Sequence, residues 1–483
     1  MAARAYSRRV AIDDLPYRFE RTALAADLAA THAELGPGSE TGQLVAVAGR
    51  VMLKRSFGKL VFLTIRDYSG RIQLLAESSR LVGEPFERVT EVKLGDWVAG
   101  EGEVVTTKKG ELSVRLDSFM VLAPIHRPLP DKWHGMTDIE ARSRQRYLDL
   151  IVNDRSLAVA QARSQVVSVL RAEFSERGFV EVETPMLLSQ ATGAIARPFL
   201  THHESLDLQM KLRISLELYL KRLVVGGMER VFEIGRVFRN EGIDSTHNPE
   251  FTMLEAYQAL ADYHDMITLV EEVFVSVVKS VTGGTTISYR GKSLDFNPPY
   301  RRATMLELVS EALGEPVSLD RPLDELRGLA QRHGTEVDDR WGPGRVIEAV
   351  YDEVVEGGIW EPTFVTDHPK EISPLARIHR SSPDLTERFE LVIAGSEYVN
   401  AFSELIDPLD QRARFEEQAA ARAAGDLEAH PLDEDFLRAL EYGMPPTGGL
   451  GIGVDRLVML VTDTSHIRDV ILFPTLRPER PAP

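Results

Sequence analysis

The sequence predicts an α+β protein: a small β-barrel or sandwich, followed by a larger domain built on an antiparallel sheet. Three observations predict this. Between residues 41 and 125, short alternating apolar runs recur at regular spacing with turn signals between them. Beyond about residue 145, amphipathic helices and strands mix without the βαβα rhythm of a parallel sheet. Between the two lies a proline-rich joint, "PIHRPLPDKWHG".

The elements follow in chain order. "FERTALAADLAATHAEL", ended by "GPGS", predicts a helix and makes residues 1–40 a helical extension. "QLVAVAGRVML", "KLVFLTIRD", "GRIQLLA", "DWVAGEGEVV" and "ELSVRLDSFMVL" predict the strands of the first domain, residues 41–125. Residues 126–150 are expected to be a linker. "SLAVAQARSQVVSVLRAEFSERG" then predicts a long amphipathic helix stopped at Gly178, with "FVEVETP" as the next strand. "DRPLDELRGLAQRHGTEVDDRWG" is a polar helical insertion, placed within about 310–350, in a domain spanning 151–483.

Composition limits what such a protein can be. At 483 residues the chain can bury a sizeable core in two or three domains. It has no cysteine, which excludes disulfides, thiolate catalysis and cysteine-ligated metal, and which suits a cytosolic protein. The N-terminal segment has arginines but no apolar core, so it is not expected to be a secretory signal. No run approaches the ~18 apolar residues needed to cross a bilayer, so a soluble, cytoplasmic protein with no membrane partner is expected. The formal charge of −18 argues against an overall affinity for polyanions, but local basic patches decide binding.

One such patch lies on the small barrel. Alternation in "KLVFLTIRD" puts Val61, Leu63 and Ile65 on one face and Phe62 on the other, with Gln73 outward on the next strand. Lys54, Arg55 and Lys59 stand nearby. An exposed aromatic beside an amide and basic loops is how small barrels stack and read single-stranded bases, although a lone exposed Phe needs no explanation.

The larger domain carries the chemistry. "RVFEIGRVFRN" and "EFTMLEAYQA" predict two strands joined by "EGIDSTHNP", which holds His247 and Asn248. Phe251, Met253, Glu255 and Tyr257 then share a face, with Phe251 and Glu255 about 13 Å apart at ~3.3 Å per residue. That is roughly the span from a nucleobase to the far end of a long amino acid on its phosphate, with Arg239 between. Singly, Arg239 and Glu241 would read as a surface ion pair and Phe251 as core. Together they point to a nucleotide beside a cationic small molecule. In "ERFELVIAGSEYVNAFSEL", Glu390 and Glu397 flank a turn at Ala394–Ser396, so a hairpin can bring both to one Mg²⁺ bound through substrate phosphates. "GGLGIGVDRLVMLV" puts a glycine-rich strand before a helix carrying Arg456. It matches neither the dinucleotide fingerprint nor the Walker loop, so arginines must grip any nucleotide.

These segments resemble the signature motifs of the class II aminoacyl-tRNA synthetases, with "GFVEVETP" as the first. "ELYLKRLVVGGMERVFEIGRVFRNEG", "THNPEFTMLEAY", "LTERFEL" and "PPTGGLGIGVDRLVMLVTD" narrow the resemblance to the lysine-specific branch along nearly the whole chain. The resemblance implies an OB-fold anticodon-binding domain before a class II antiparallel-sheet catalytic domain. It implies ATP, L-lysine and lysine tRNA as substrates, Mg²⁺ as cofactor, and a homodimer formed through the first motif. Arg239 would bridge the amino-acid carboxylate and the α-phosphate. Glu241 would read the adenine edge, and Phe251 and Arg456 would enclose its faces. His247 and Asn248 would assist at the ATP site, and Glu390 and Glu397 would ligate the metal. Gly193, Tyr257 and Asn400 would line the amino-acid pocket, with Glu217, Glu255 and Glu404 around the ammonium groups. Lys54, Arg55, Phe62 and Gln73 would contact the anticodon.

Lysine also follows from charge, since a buried cationic substrate needs carboxylates where an aspartate-activating relative needs bases. The chain departs from the family pattern at Thr246, Leu216, Ile406 and Tyr398. Two other readings therefore stay open: a specialised paralogue with altered amino-acid or acceptor preference, and an inactive nucleic-acid-binding relative.

Overall fold

The computed structural model describes residues 15–130, 136–190, 193–194, 196–423 and 432–478. They form two compact units, Met1–Thr137 and Asp138–Pro483.

The first unit is a closed barrel of strands β1 (Glu40–Phe57), β2 (Leu60–Arg66), β3 (Arg71–Glu77), β4 (Trp97–Thr106) and β5 (Leu112–Ala123), ordered β1-β2-β3-β5-β4. Closure leaves no open sheet edge for a stray strand to pair with. Val61, Leu63, Ile65, Leu74, Val98, Val114 and Leu116 fill its interior, as alternation requires. Pairing is antiparallel except where β3 meets β5 in parallel. At the bulge between Glu101 and Gly102 the two strands come so close that a Cβ on Gly102 would lie 2.0 Å from the Arg115 carbonyl oxygen. Helix α1 (Ala25–Thr31) is shorter than the expected helix and plugs the core with Ala25 and Leu28. Helix α2 (Glu84–Glu91) adds Val89 to the same core.

The second unit begins inside the expected linker. Residues 131–135 of that joint lie outside the described residues, but Ile139–Arg144 and Arg146–Val152 are helices α3 and α4. Two charged residues of this stretch, Arg146 and Asp149, are buried. Arg146 pairs with Asp149 and donates to the carbonyls of Leu472 at 3.0 Å and Arg468 at 2.6 Å. The expected linker 126–150 is therefore shorter at its C-terminal end. Helix α5 (Asp154–Glu176) follows, and Gly178 beyond it takes a left-handed φ of +80° to turn the chain.

An eight-stranded sheet forms the body of this unit. Its strands are β6 (Val180–Glu181), β7 (Arg230–Phe238), β8 (Glu250–Ala259), β9 (Arg301–Thr304), β10 (Thr363–Thr366), β11 (Arg388–Ile393), β12 (Ser396–Ser403) and β13 (Thr447–Gly453), in the spatial order β9-β10-β11-β12-β13-β8-β7-β6. The centre is antiparallel, and the two outermost pairs, β6–β7 and β9–β10, are parallel. One face carries Phe232, Leu254, Ala256, Val399, Ala401, Leu450 and Ile452, which pack with α5, helix α7 (Tyr263–Thr282) and the helix Val454–Val461. Helix α6 (Glu217–Val225) joins a second core on the opposite face, around Tyr257. Alternation thus places Phe251, Met253, Glu255 and Tyr257 on that opposite face. The insertion comprises α8 (Met305–Leu313), α9 (Leu323–Arg332) and α10 (Pro343–Val350) around its own core of Leu308, Leu326, Leu329 and Ile347. No helix among the described residues is long and apolar enough to cross a membrane.

The helix after β13 is locked to β8 through charge. Asp455 accepts the Thr252 N–H at 2.7 Å and pairs with Arg163, which donates to the Thr252 hydroxyl at 2.9 Å. Asp455→Ala would leave a largely covered guanidinium and a buried N–H without this acceptor. It is expected to cost about 3–5 kcal/mol, seen as a lower urea midpoint with an unchanged m-value.

Candidate active site

The face of the sheet opposite α5 and α7 is the floor of a cavity of about 440 Å³. Every residue expected at the ATP, lysine and metal positions lines it: Gly193, Glu217, Arg239, Glu241, His247, Asn248, Phe251, Glu255, Tyr257, Glu390, Glu397, Asn400, Glu404 and Arg456. β8 supplies Phe251, Glu255 and Tyr257, and β13 runs beside it between β8 and β12.

One end is rich in arginine. Arg239 stands over the Phe251 ring, its Cζ 5.2 Å from the centroid, and so leaves that ring flanked by a cation. Burial disfavours the Arg239 charge, while Glu241, Glu397 and Glu255 support it. Arg456 donates to the Glu397 carbonyl at 2.8 Å, and its other nitrogen lies 3.4 Å from His247 Nε2. The loop bearing His247 is shaped by Asp244, which accepts from the Thr246 and His247 N–H groups at 2.7 Å and meets His247 Nδ1 at 2.8 Å. Burial opposes the Asp244 charge, but these donors hold its carboxyl down to about 2. Thr246 thus serves as an Asx-turn residue.

Two carboxylates lie along one wall. Glu390 and Asn400 are register partners on β11 and β12, and Glu397 lies just past the turn. Glu390 accepts from Arg388 at 2.6 Å and from the Asn400 amide at 3.3 Å. Burial, then the neighbouring Glu390, push the Glu397 carboxyl up, against Arg456, Arg388 and Arg239. A divalent cation suits such a pair because its charge offsets their mutual repulsion and favours the ionised carboxylates. Among the described residues no group of three or more His, Asp or Glu could hold a metal alone.

The far end is acidic and closed. Glu255 Oε1 accepts from the Ser215 hydroxyl at 3.1 Å and the Leu216 N–H at 3.0 Å, and Oε2 accepts from the Tyr257 hydroxyl at 3.0 Å. A proline at 216 could not provide that N–H. Burial and then Glu217 raise Glu255 to about 7 despite these donors. Glu217 and Glu404 are also raised, first by burial. Gly449 makes room for the cluster, since a Cβ there would lie 2.0 Å from Glu404 Oε1 and 2.6 Å from the Tyr257 ring. Tyr398 lines the cavity and is buried.

Two residues, one lining the cavity and one behind its acidic end, were absent from the sequence reading. Arg388 lies two positions before Glu390, hence on its face of β11, and period 2 could have revealed it. Lys221 lies one helical turn after Glu217, a spacing equally visible in the sequence.

On the barrel, Phe62 is half-buried opposite Arg55 and meets the exposed Phe57 edge-on at 6.1 Å. Two expected contacts are placed otherwise. Gln73 lies on the same face as Phe62 but is not open to solvent: it is only 4% exposed and donates to the Ser113 hydroxyl at 2.8 Å, because β5 pairs alongside β3 there. Lys54 caps the end of α2, donating to the carbonyls of Thr90 at 2.5 Å and Val92 at 2.9 Å.

Comparison with known proteins agrees with this geometry. The family described as "tRNA synthetases class II (D, K and N)" matches residues 138–477, and "OB-fold nucleic acid binding domain" matches residues 45–122. A lysine–tRNA ligase of Prochlorococcus marinus (strain MIT 9313) is 53% identical over 476 residues, covering 96% of this chain and 94% of the relative. The lysine–tRNA ligase of Synechococcus sp. (strain RCC307) is 52% identical over 469 residues, covering 96% and 93%. That of Thermosynechococcus vestitus is 52% identical over 471 residues, with coverage of 96% and 93%. The chain belongs to the class II tRNA synthetases, in the lysine–tRNA ligase branch of that family.

Proposed function

We propose that the chain activates L-lysine with ATP and transfers it to the 3′ end of lysine tRNA. The observation that carries this reading is one cavity whose arginine end holds Arg239, Phe251 and Arg456 and whose closed end holds Glu217, Glu255 and Glu404. A nucleotide fits the first and an extended cation the second.

In this reading the lysine carboxylate attacks the α-phosphorus in line, pyrophosphate leaves, and lysyl-adenylate forms. The terminal ribose hydroxyl of the tRNA then attacks the adenylate carbonyl and AMP departs. No side chain acts as nucleophile. Arg239 bridges the attacking carboxylate and the α-phosphate, and Phe251 stacks on the adenine beside Glu241 and Asn248. Arg456, propped by His247 and Glu397, covers the opposite face and holds the leaving phosphates. Positioning and charge neutralisation account for the acceleration. Glu390 and Glu397 would hold Mg²⁺, which when bound neutralises charge on the phosphates. Gly193, Tyr257 and Asn400 shape the wall beside the amino acid.

Two copies are proposed to pair through the first-motif region, where Val180, Met186, Leu187 and Leu200 are exposed apolar side chains. The protein is proposed to act in the cytoplasm.

Lysine-dependent ATP–pyrophosphate exchange, followed by charging of lysine tRNA, tests the proposal; equal exchange with uncharged amino acids would refute it. For the barrel, Arg55 and Phe62 are the proposed anticodon contacts. Phe62→Ala is expected to raise the KM for tRNA roughly tenfold, in line with about 1–3 kcal/mol per stacked base. Pyrophosphate exchange measured without tRNA should be unaltered.

A further inference from the structure

We propose that Lys221 is an internal counter-cation that sets the charge of the amino-acid end of the cavity, making it a positioning residue for selection of a doubly cationic substrate. The inference rests on the reading that this end receives lysine. Lys221 is 0% exposed, and its Nζ lies 2.5 Å from Glu217 Oε1 and in contact with Glu404 Oε2. The rings of Phe402 and Phe436 enclose it at 5.4 and 6.0 Å. Glu217 and Glu404 line the cavity, but Lys221 does not, so it reaches both carboxylates from behind.

The charged groups facing it are Glu217 on its own helix and Glu404 just beyond β12; Glu255 and Tyr257 on β8 and Arg388 on β11 act on those two carboxylates in turn. The helix Glu434–Glu441 meets it with the Phe436 ring.

The charge count follows from these residues. Three buried carboxylates, Glu217, Glu255 and Glu404, with no cation among them would take up protons rather than stay ionised together. Arg388, the other cation near Glu217, is engaged by Glu390 at 2.6 Å, so one internal ammonium leaves two carboxylate charges unmatched, and a diamino acid brings two ammonium groups. An amino acid with a neutral side chain supplies one and strands a buried carboxylate. Lys221 also fixes where these charges sit. Glu404 is held between the Lys221 ammonium at Oε2 and the bare backbone of Gly449 at Oε1, and it lines the cavity.

Pyrophosphate exchange at varied lysine over roughly pH 6–9 tests the proposal with Lys221→Met, which keeps an unbranched chain and removes the charge. The KM for lysine should rise about 30-fold while that for ATP stays within about threefold. The pH below which lysine affinity declines should move up by about one unit, because the carboxylates lose their cation. Adding Glu217→Gln to Lys221→Met restores the original count, and the pH midpoint should return to that of the unmodified enzyme. An unmoved pH midpoint and lysine KM in Lys221→Met would show a packing role only and overturn the proposal. If Lys221→Met alone fails to fold, the double variant decides: an original midpoint supports the proposal, and one displaced by a unit or more overturns it. Glu404→Gln separates the two levels of inference. If it leaves the lysine KM unchanged, the pocket reading has failed. If it raises that KM while Lys221→Met has no effect, only the role of Lys221 has failed.

Discussion

Replacing Arg239 with alanine is expected to slow lysyl-adenylate formation by roughly 10²–10³-fold, the usual loss when one donor to a developing charge is removed. The size follows from its place. Arg239 follows the end of β7 at the cavity and lies over Phe251, and among the described residues its side chain makes a single long hydrogen bond, 3.4 Å to the Ile214 carbonyl. Its guanidinium is therefore free to bind a ligand instead of bracing the fold. Single-turnover measurement of adenylate should show the loss in the chemical step, with the melting temperature unchanged within a few degrees. Near-normal exchange by this variant would remove Arg239 from the mechanism. Lysine in its place should not rescue, because an ammonium cannot engage a carboxylate and a phosphate in the same planar fork.

The second expected result concerns pH. Glu255 is raised to about 7 by burial and by Glu217, so in the free protein it is largely protonated below that pH. An ammonium group binds the ionised form, and lysine must displace the proton. The KM for lysine is therefore expected to fall about tenfold per unit as pH rises toward 7 and to level off above it. The sign for stability is opposite in the free protein. A carboxyl whose folded value exceeds its unfolded value binds the extra proton in the native state. Its contribution to stability is thus present at low pH and is lost as pH rises from about 4.5 to about 7. Lysine binding reverses this, so the rise in melting temperature caused by lysine should grow with pH across that window. Calorimetry near pH 6 in buffers of different ionisation enthalpy should show uptake of a proton by the buffer on binding. Glu255→Gln should abolish the pH dependence and raise the lysine KM by roughly 30–100-fold. A profile unchanged in that variant would mean that another group titrates.

Much of this was legible before any coordinates. The barrel strands, the hairpin of β7 and β8 and the shared face of Phe251, Glu255 and Tyr257 all follow from period 2 along single segments. The reading failed where one segment's environment is made by another. Lys54 and Arg55 are adjacent in a strand and so cannot share a face: Arg55 stands opposite Phe62, while Lys54 stands opposite the buried Leu63 and reaches the end of α2. Gln73 sits on the expected face, but β5 covers it. Arg146 and Asp149 fall in the expected linker and are a buried pair.

The amino-acid sequence by itself determined which side chains could share a strand face, where helices start and stop, and the balance of acids and arginines in the larger domain. These are consequences of backbone geometry over a few neighbouring residues. Only the tertiary structure decided that Lys221 stands behind Glu217 and Glu404, that Gly449 clears space for Glu404, and that Leu216 offers its N–H to Glu255. Such pairings join elements far apart in the chain, and the burial that makes them strong exists only once the sheet and α6 have closed over them.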